Sequence, residues 1–136
     1  MGKIIAIDYG TKRCGIAETD PLQIIASGLT TVATHELMVF LSNYLQKEKV
    51  DCMVIGLPLR LNNELSAVEE HIQKFIAQLK KKYPNLSIKR VDERFTSKLA
   101  MDSMIMGGLK KKKRQDKGLI DKVSATLILQ TYLEGK

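Results

Sequence analysis

Ile4-Ile5-Ala6-Ile7-Asp8-Tyr9-Gly10-Thr11-Lys12-Arg13-Cys14-Gly15-Ile16-Ala17 places two apolar runs on either side of a polar turn. Ile4 to Ile7 is continuously apolar, the pattern of a strand buried on both faces. Asp8 stands where that strand stops, against the turn Tyr9-Gly10-Thr11-Lys12. Gly10 supplies the backbone freedom the turn needs. Cys14 to Ala17 follows closely enough to make a hairpin. An acid ending a strand is most often just a turn residue. It is also where a rigid strand would hold a carboxylate at a cleft edge, to bind a metal or position a phosphate.

Outward from the hairpin, Asp20-Pro21 reads as a turn and Leu22 to Val32 as a third strand, bent at Gly28. Thr34 is placed to N-cap a helix reaching Lys47, with Leu37, Phe40, Leu41, Tyr44 and Leu45 on one face. Cys52 to Ile55 is a fourth strand, closed by Gly56-Leu57-Pro58. Ser66-Ala67-Val68-Glu69 fits a capping box. The helix it opens carries Val68, Ile72, Phe75, Ile76 and Leu79 at helical spacing and ends before Pro84. Ser87 to Val91 is a fifth strand, and Ser97 to Met106 a helix stopped by Gly107-Gly108. Leu119 to Leu133 is the last helix, apolar around most of its circumference and so expected to pack deep on the sheet. Short early turns suggest an antiparallel meander, and the later alternation suggests parallel strands with crossover helices. The expectation is an α/β fold with a mixed five-stranded sheet, one domain over residues 1–136.

Composition narrows the function classes. The chain is 44% hydrophobic and 27% charged, ordinary for a globular protein, and no apolar run reaches the roughly 18 residues of a membrane span. The N-terminal apolar run is too short for a signal peptide and ends in Asp8. Cys14 and Cys52 lack metal-ligand spacing and read as buried free thiols, which fits a reducing cytoplasm. His35 and His71 sit on expected helices without a second ligand at metal spacing, so both read as surface residues. The net charge is +7, and the run Lys110-Lys111-Lys112-Lys113-Arg114-Gln115-Asp116-Lys117 contributes +5 of it. So local an excess suggests a polyanion partner. A membrane surface fits less well, because no amphipathic basic helix with an aromatic face adjoins the run.

Three acids fall at comparable places. Asp8 ends the first strand, Glu93 follows the fifth, and Asp121 opens the last helix. Asp121 shares its helix face with Ser124, Ala125 and Ile128, and the two small residues would let that helix lie close to the sheet. Each acid alone has a structural reading. Asp121 could complement a helix dipole, and Glu93 could pair with Arg94 or a lysine. Together they converge at the carboxyl ends of strands, where open α/β sheets bind ligands. Two Mg²⁺ or Mn²⁺ ions held about 4 Å apart by such oxygens can activate a water and stabilise the leaving 3′ oxygen in phosphodiester cleavage.

Ile7-Asp8-Tyr9-Gly10-Thr11-Lys12-Arg13-Cys14-Gly15-Ile16-Ala17 resembles the opening motif of the YqgF/RuvX family. Val54-Ile55-Gly56-Leu57-Pro58-Leu59 resembles its second block, Asp92-Glu93-Arg94-Phe95-Thr96-Ser97 its Asp-Glu-Arg block, and Ile120-Asp121 through Leu129-Gln130-Thr131-Tyr132-Leu133 its closing helix. The blocks occur in order over almost the whole chain. Asn62-Asn63 stands where many members have Asp-Gly, and Phe95 and Ser97 replace the commoner Leu and Thr. The resemblance implies an RNase H-like fold with strand order 3-2-1-4-5 and kinship with the resolvase RuvC. It implies a cytoplasmic bacterial nuclease that processes the 5′ end of pre-16S rRNA, associated with a ribosomal particle. Carried over, Asp8, Glu93 and Asp121 are the catalytic and metal-binding positions. Lys12, Arg13, Arg94, Lys110, Lys111, Lys112, Lys113 and Arg114 are the candidates for holding nucleic acid. Three alternatives stand beside this reading. They are a dimeric resolvase of branched DNA, an ATP-binding actin-like domain suggested by Asp8-Tyr9-Gly10-Thr11, and a non-catalytic nucleic-acid-binding module.

Overall fold

In the computed structural model β1 (Lys3–Tyr9) and β2 (Arg13–Thr19) form the expected hairpin, antiparallel, with Asp8 opposite Gly15. The structure describes residues 2–57, 67–92 and 117–135, the last stretch with side chains from Asp121 onward. β3 (Ala26–Ala33) pairs antiparallel with β2. β4 (Val50–Leu57) pairs parallel with β1, and β5 (Ser87–Asp92) parallel with β4. The order is β3-β2-β1-β4-β5, as expected. The described helices are α1 (Leu37–Lys47), α2 (Val68–Lys82) and α3 (Lys117–Glu134).

The unbroken apolar runs follow from burial on both faces. Ile5, Ile7, Met53 and Ile55 point to α1 and α2, where Leu37, Leu41, Ile72 and Leu79 cover them. Ile4, Ala6 and Val54 point the other way, against Ala125, Ile128 and Leu129 of α3. Each fully buried Ile or Leu contributes roughly 1.5–3 kcal/mol. The central strands are therefore held rigidly from both sides, and so is whatever stands at their ends. Cys14 and Cys52 are buried and free, as read from the sequence. Among the described residues no helix is long and apolar enough to cross a membrane.

Three local expectations are corrected. The third strand begins at Ala26 rather than Leu22, because the Asp20 carboxylate accepts the N–H groups of Leu22, Ile24 and Ile25 and winds the segment into a turn. Gln23 takes φ 59° there, and Leu22, Ile24 and Ile25 are left exposed. Thr34 does not cap α1. It opens a 3₁₀ turn (Thr34–Glu36), and its hydroxyl donates instead to the Gly10 carbonyl at 2.7 Å. Glu69 does not complete a capping box, because Arg90 and Gln73 take its carboxylate. Ser66, its expected partner, lies outside the described residues. The bend expected at Gly28 exists as a bulge: Ala17 pairs with Gly28 and Ile16 with Thr30, leaving Leu29 between them. The helix expected over 97–106 and the loop over 107–116 also lie outside the described residues.

Candidate active site at the carboxyl end of the sheet

Alternation along β1 sends Asp8 to the face of Ile4 and Ala6, under α3, and Tyr9 to the opposite face, where its ring lies 5.5 Å from that of Phe75. Gly15, paired with Asp8, is what lets the start of α3 settle on this part of the sheet. A Cβ built on Gly15 would lie 2.0 Å from the Asp121 carbonyl oxygen and 2.9 Å from the Lys122 nitrogen. The helix backbone therefore rests directly on the sheet at the residue paired with Asp8. Ser124 and Ala125 are buried beneath the helix, as their small size suggested.

Arg13 and Lys12 share the cavity of about 350 Å³ that Gly10, Thr11 and Asp121 line with them. Arg13 Nε donates to Asp121 Oδ2 at 2.7 Å, so this guanidinium fixes the carboxylate and offsets its charge. The field of both acids reaches Cys14. Burial chiefly pushes that thiol's pKa up, Asp8 and Asp121 add to the rise, and hydrogen bonds to Thr34 and Gly10 oppose it. β5 ends at Asp92, paired with Leu57, two strand spacings from β1, or roughly 10 Å. Glu93, Arg94 and Lys110 through Arg114 lie outside the described residues.

Residues 2–135 match the RuvX family, described as Holliday junction resolvase. The chain belongs to the RuvX family. A relative from Christiangramia forsetii, named "Putative pre-16S rRNA nuclease", is 57% identical over 98% of this chain and 98% of its own length. A Bacteroides thetaiotaomicron protein of the same name is 57% identical over 100% of this chain and 99% of its own. Among solved structures, Thermus thermophilus RuvC superposes with a TM-score of 0.58 at 14% identity, covering 98% of this chain and 96% of that one. The fowlpox virus Holliday junction resolvase gives 0.57 at 14% identity, covering 98% and 99%. At that identity the two structures speak for the fold, which is RNase H-like.

In this RuvX-family chain two features of the site escaped the sequence reading. Gly15 is one, though a glycine inside a strand pattern is the usual mark of close backbone approach. The other is Arg90. Its Nη1 and Nη2 grip both oxygens of the buried Glu69, at 3.0 and 2.7 Å, while Nε and Nη2 donate to the carbonyls of Ile55 and Gly56. This clamp ties α2 and β5 to the end of β4 beside the cleft. Among the described residues no group of three or more His, Cys, Asp or Glu is gathered closely enough to hold a metal. Asp8 and Asp121 offer hard carboxylate oxygens of the kind Mg²⁺ and Mn²⁺ prefer, and the third expected acid, Glu93, is not described.

Proposed function

We propose that this chain is a metal-dependent endonuclease that hydrolyses phosphodiester bonds, with the 5′ end of the 16S ribosomal RNA precursor as its substrate. The observation that carries the reading is the seating of the Asp121 backbone on Gly15, opposite Asp8. It sets the backbone of Asp121 against the strand position paired with Asp8, which supports two acids far apart in sequence sharing the carboxyl end of the sheet, where α/β folds bind ligands. Asp8, Asp121 and Glu93 would hold a divalent ion pair. Those ions supply charge stabilisation and an activated water when bound.

The chain's own residues have separable tasks. Asp8 is fixed by a strand buried on both faces. Arg13 keeps the Asp121 carboxylate oriented and restrains the repulsion between the two acids. Lys12, exposed on the turn at the mouth of the cavity, is suited to a substrate phosphate. Arg94 and the cations Lys110, Lys111, Lys112, Lys113 and Arg114 would hold phosphates flanking the cut. The names of the full-length relatives support the ribosomal substrate, and the family description supports a second reading, cleavage of branched DNA. Incubating precursor rRNA and a four-way DNA junction in parallel, with Mg²⁺ or Mn²⁺ or with chelator, separates them. Defined ends on the RNA alone are expected. Symmetric cuts in the junction alone would favour the second reading, and no cleavage of either would refute both.

A further inference from the structure

A second cavity, of about 290 Å³, opens on the opposite side of the β1–β2 turn. Turn residues Gly10 to Arg13 line the first cavity, and Tyr9 and Thr34, which flank that turn, line the second. Thr34 locks that turn from behind, its N–H donating to the Lys12 carbonyl at 3.0 Å and its hydroxyl to the Gly10 carbonyl at 2.7 Å. Lys12 and Arg13 line the first cavity. The second is lined by Tyr9, Thr34, His35, His71, Lys74 and Gln78 along with apolar residues, and by no acid. His71 and Lys74 stand one helical turn apart on the exposed side of α2, and His35 reaches in from the 3₁₀ turn. The Glu36 carboxylate lies 3.9 Å from His35, out on the open surface. Tyr9 gives the cavity a half-buried aromatic wall, braced by Phe75, and Tyr9 directly follows Asp8.

We propose that this cavity is a subsite for one unpaired nucleotide flanking the scissile bond, its base against Tyr9 and its phosphate among His35, His71 and Lys74. The inference rests on the nuclease reading of the adjacent site. Asp8 and Tyr9 are consecutive and face opposite sides of β1, so a strand leaving Asp8 and passing over the turn is led toward the second cavity. Aromatic stacking needs a free base face, so the subsite selects single-stranded rather than duplex flanks. Gln78 adds an amide able to hydrogen-bond a base edge or a sugar hydroxyl.

The test is binding, measured in chelator so that nothing is cut, with a single-stranded RNA spanning the cleavage site and a version truncated on one side of it. His71→Ala with Lys74→Ala alters only exposed positions of α2 and leaves its buried face intact. The double variant is expected to bind the long RNA roughly 10-fold more weakly, with a log–log salt slope lower by about 0.7. It should bind the truncated RNA as the wild type does. A 5-iodouracil placed next to the scissile position should photocrosslink to Tyr9. Unchanged affinity and slope for the long RNA, with no crosslink at Tyr9, would overturn the subsite while leaving the nuclease reading intact. Wild-type protein that binds neither RNA would overturn both.

Discussion

Replacing Gly15 by alanine tests the contact that assembles the site. The new Cβ would stand 2.0 Å from the Asp121 carbonyl oxygen, whereas real Cβ atoms essentially never approach closer than 3.0 Å. The α3 backbone must therefore lift by about 1 Å at the residue that carries the carboxylate. Neither neighbour can give way easily, since one is helix backbone and the other a strand buried on both faces. Overpacking of this kind costs about 1–3 kcal/mol. In a domain of this size that lowers the melting temperature by roughly 4–10 °C. A displacement of about 1 Å at a catalytic group can cost on the order of 100-fold in rate. The assay pairs a thermal melt with single-turnover cleavage well below the transition. Gly28→Ala is the control. Its Cβ meets side chains rather than backbone, Lys122 Cγ at 2.8 Å and Thr126 Oγ1 at 3.2 Å, and should cost less than Gly15→Ala. A Gly15→Ala protein that melts and cuts like the wild type would refute the seating of α3 as the device that joins the two acids.

Arg90→Ala strands the buried Glu69 carboxylate and should cost about 3 kcal/mol, near the lower end for breaking a buried pair, because Arg90 is itself 22% exposed. Urea melts would measure it, and a loss under 1 kcal/mol would argue against the clamp. Hydrogen bonds from Arg90 hold the Glu69 pKa below its ordinary 4.5, with burial opposing and Gln73 assisting. The stabilisation is thus complete above about pH 4.5 and is lost as pH falls through the lowered folded value. Glu69→Gln should flatten the stability profile in that acid window and leave the slope near neutrality unchanged. Alanine at Lys111, Lys112 and Lys113 should weaken binding to every nucleic acid tried and flatten the salt dependence by about 0.7–0.9 per lost phosphate contact. An unchanged salt slope in filter binding would make that run an ordinary solvated segment.

The sheet was legible because β1 and β4 are covered on both faces, which leaves a continuous apolar signature, and because connection lengths distinguish the hairpins from the crossovers. The burial of Ser124, Ala125 and Ile128 on the Asp121 face of α3 likewise follows from helical spacing. Leu22 to Ile25 misled for a physical reason. Apolar residues promise a strand, but one Asp20 carboxylate bonded to three amides outweighs that propensity locally. Thr34 had the right chemistry for a cap and spends its hydroxyl on a carbonyl across the hairpin turn, a tertiary partner that no local pattern reveals. The Arg90–Glu69 clamp joins residues 21 apart on different elements, so periodicity could not suggest it. Gly15 was readable in principle. Its strand position signals close approach, though not that the approaching backbone would be that of Asp121.

Asp8 to asparagine is the most direct probe of the chemistry, because the amide keeps the shape and hydrogen-bonding volume but is a far weaker ligand for a hard cation. The measurement is cleavage of precursor 16S rRNA in Mn²⁺ by the wild type and the Asp8→Asn variant, with the ends mapped and both melts recorded without metal. The wild type should produce a defined 5′ end that chelator abolishes. The variant should melt at the same temperature or slightly higher, with less repulsion at the site, and lose at least on the order of 100-fold in rate. Undiminished cleavage by Asp8→Asn would contradict the carboxylate site, and so would loss of activity accompanied by a clear fall in melting temperature.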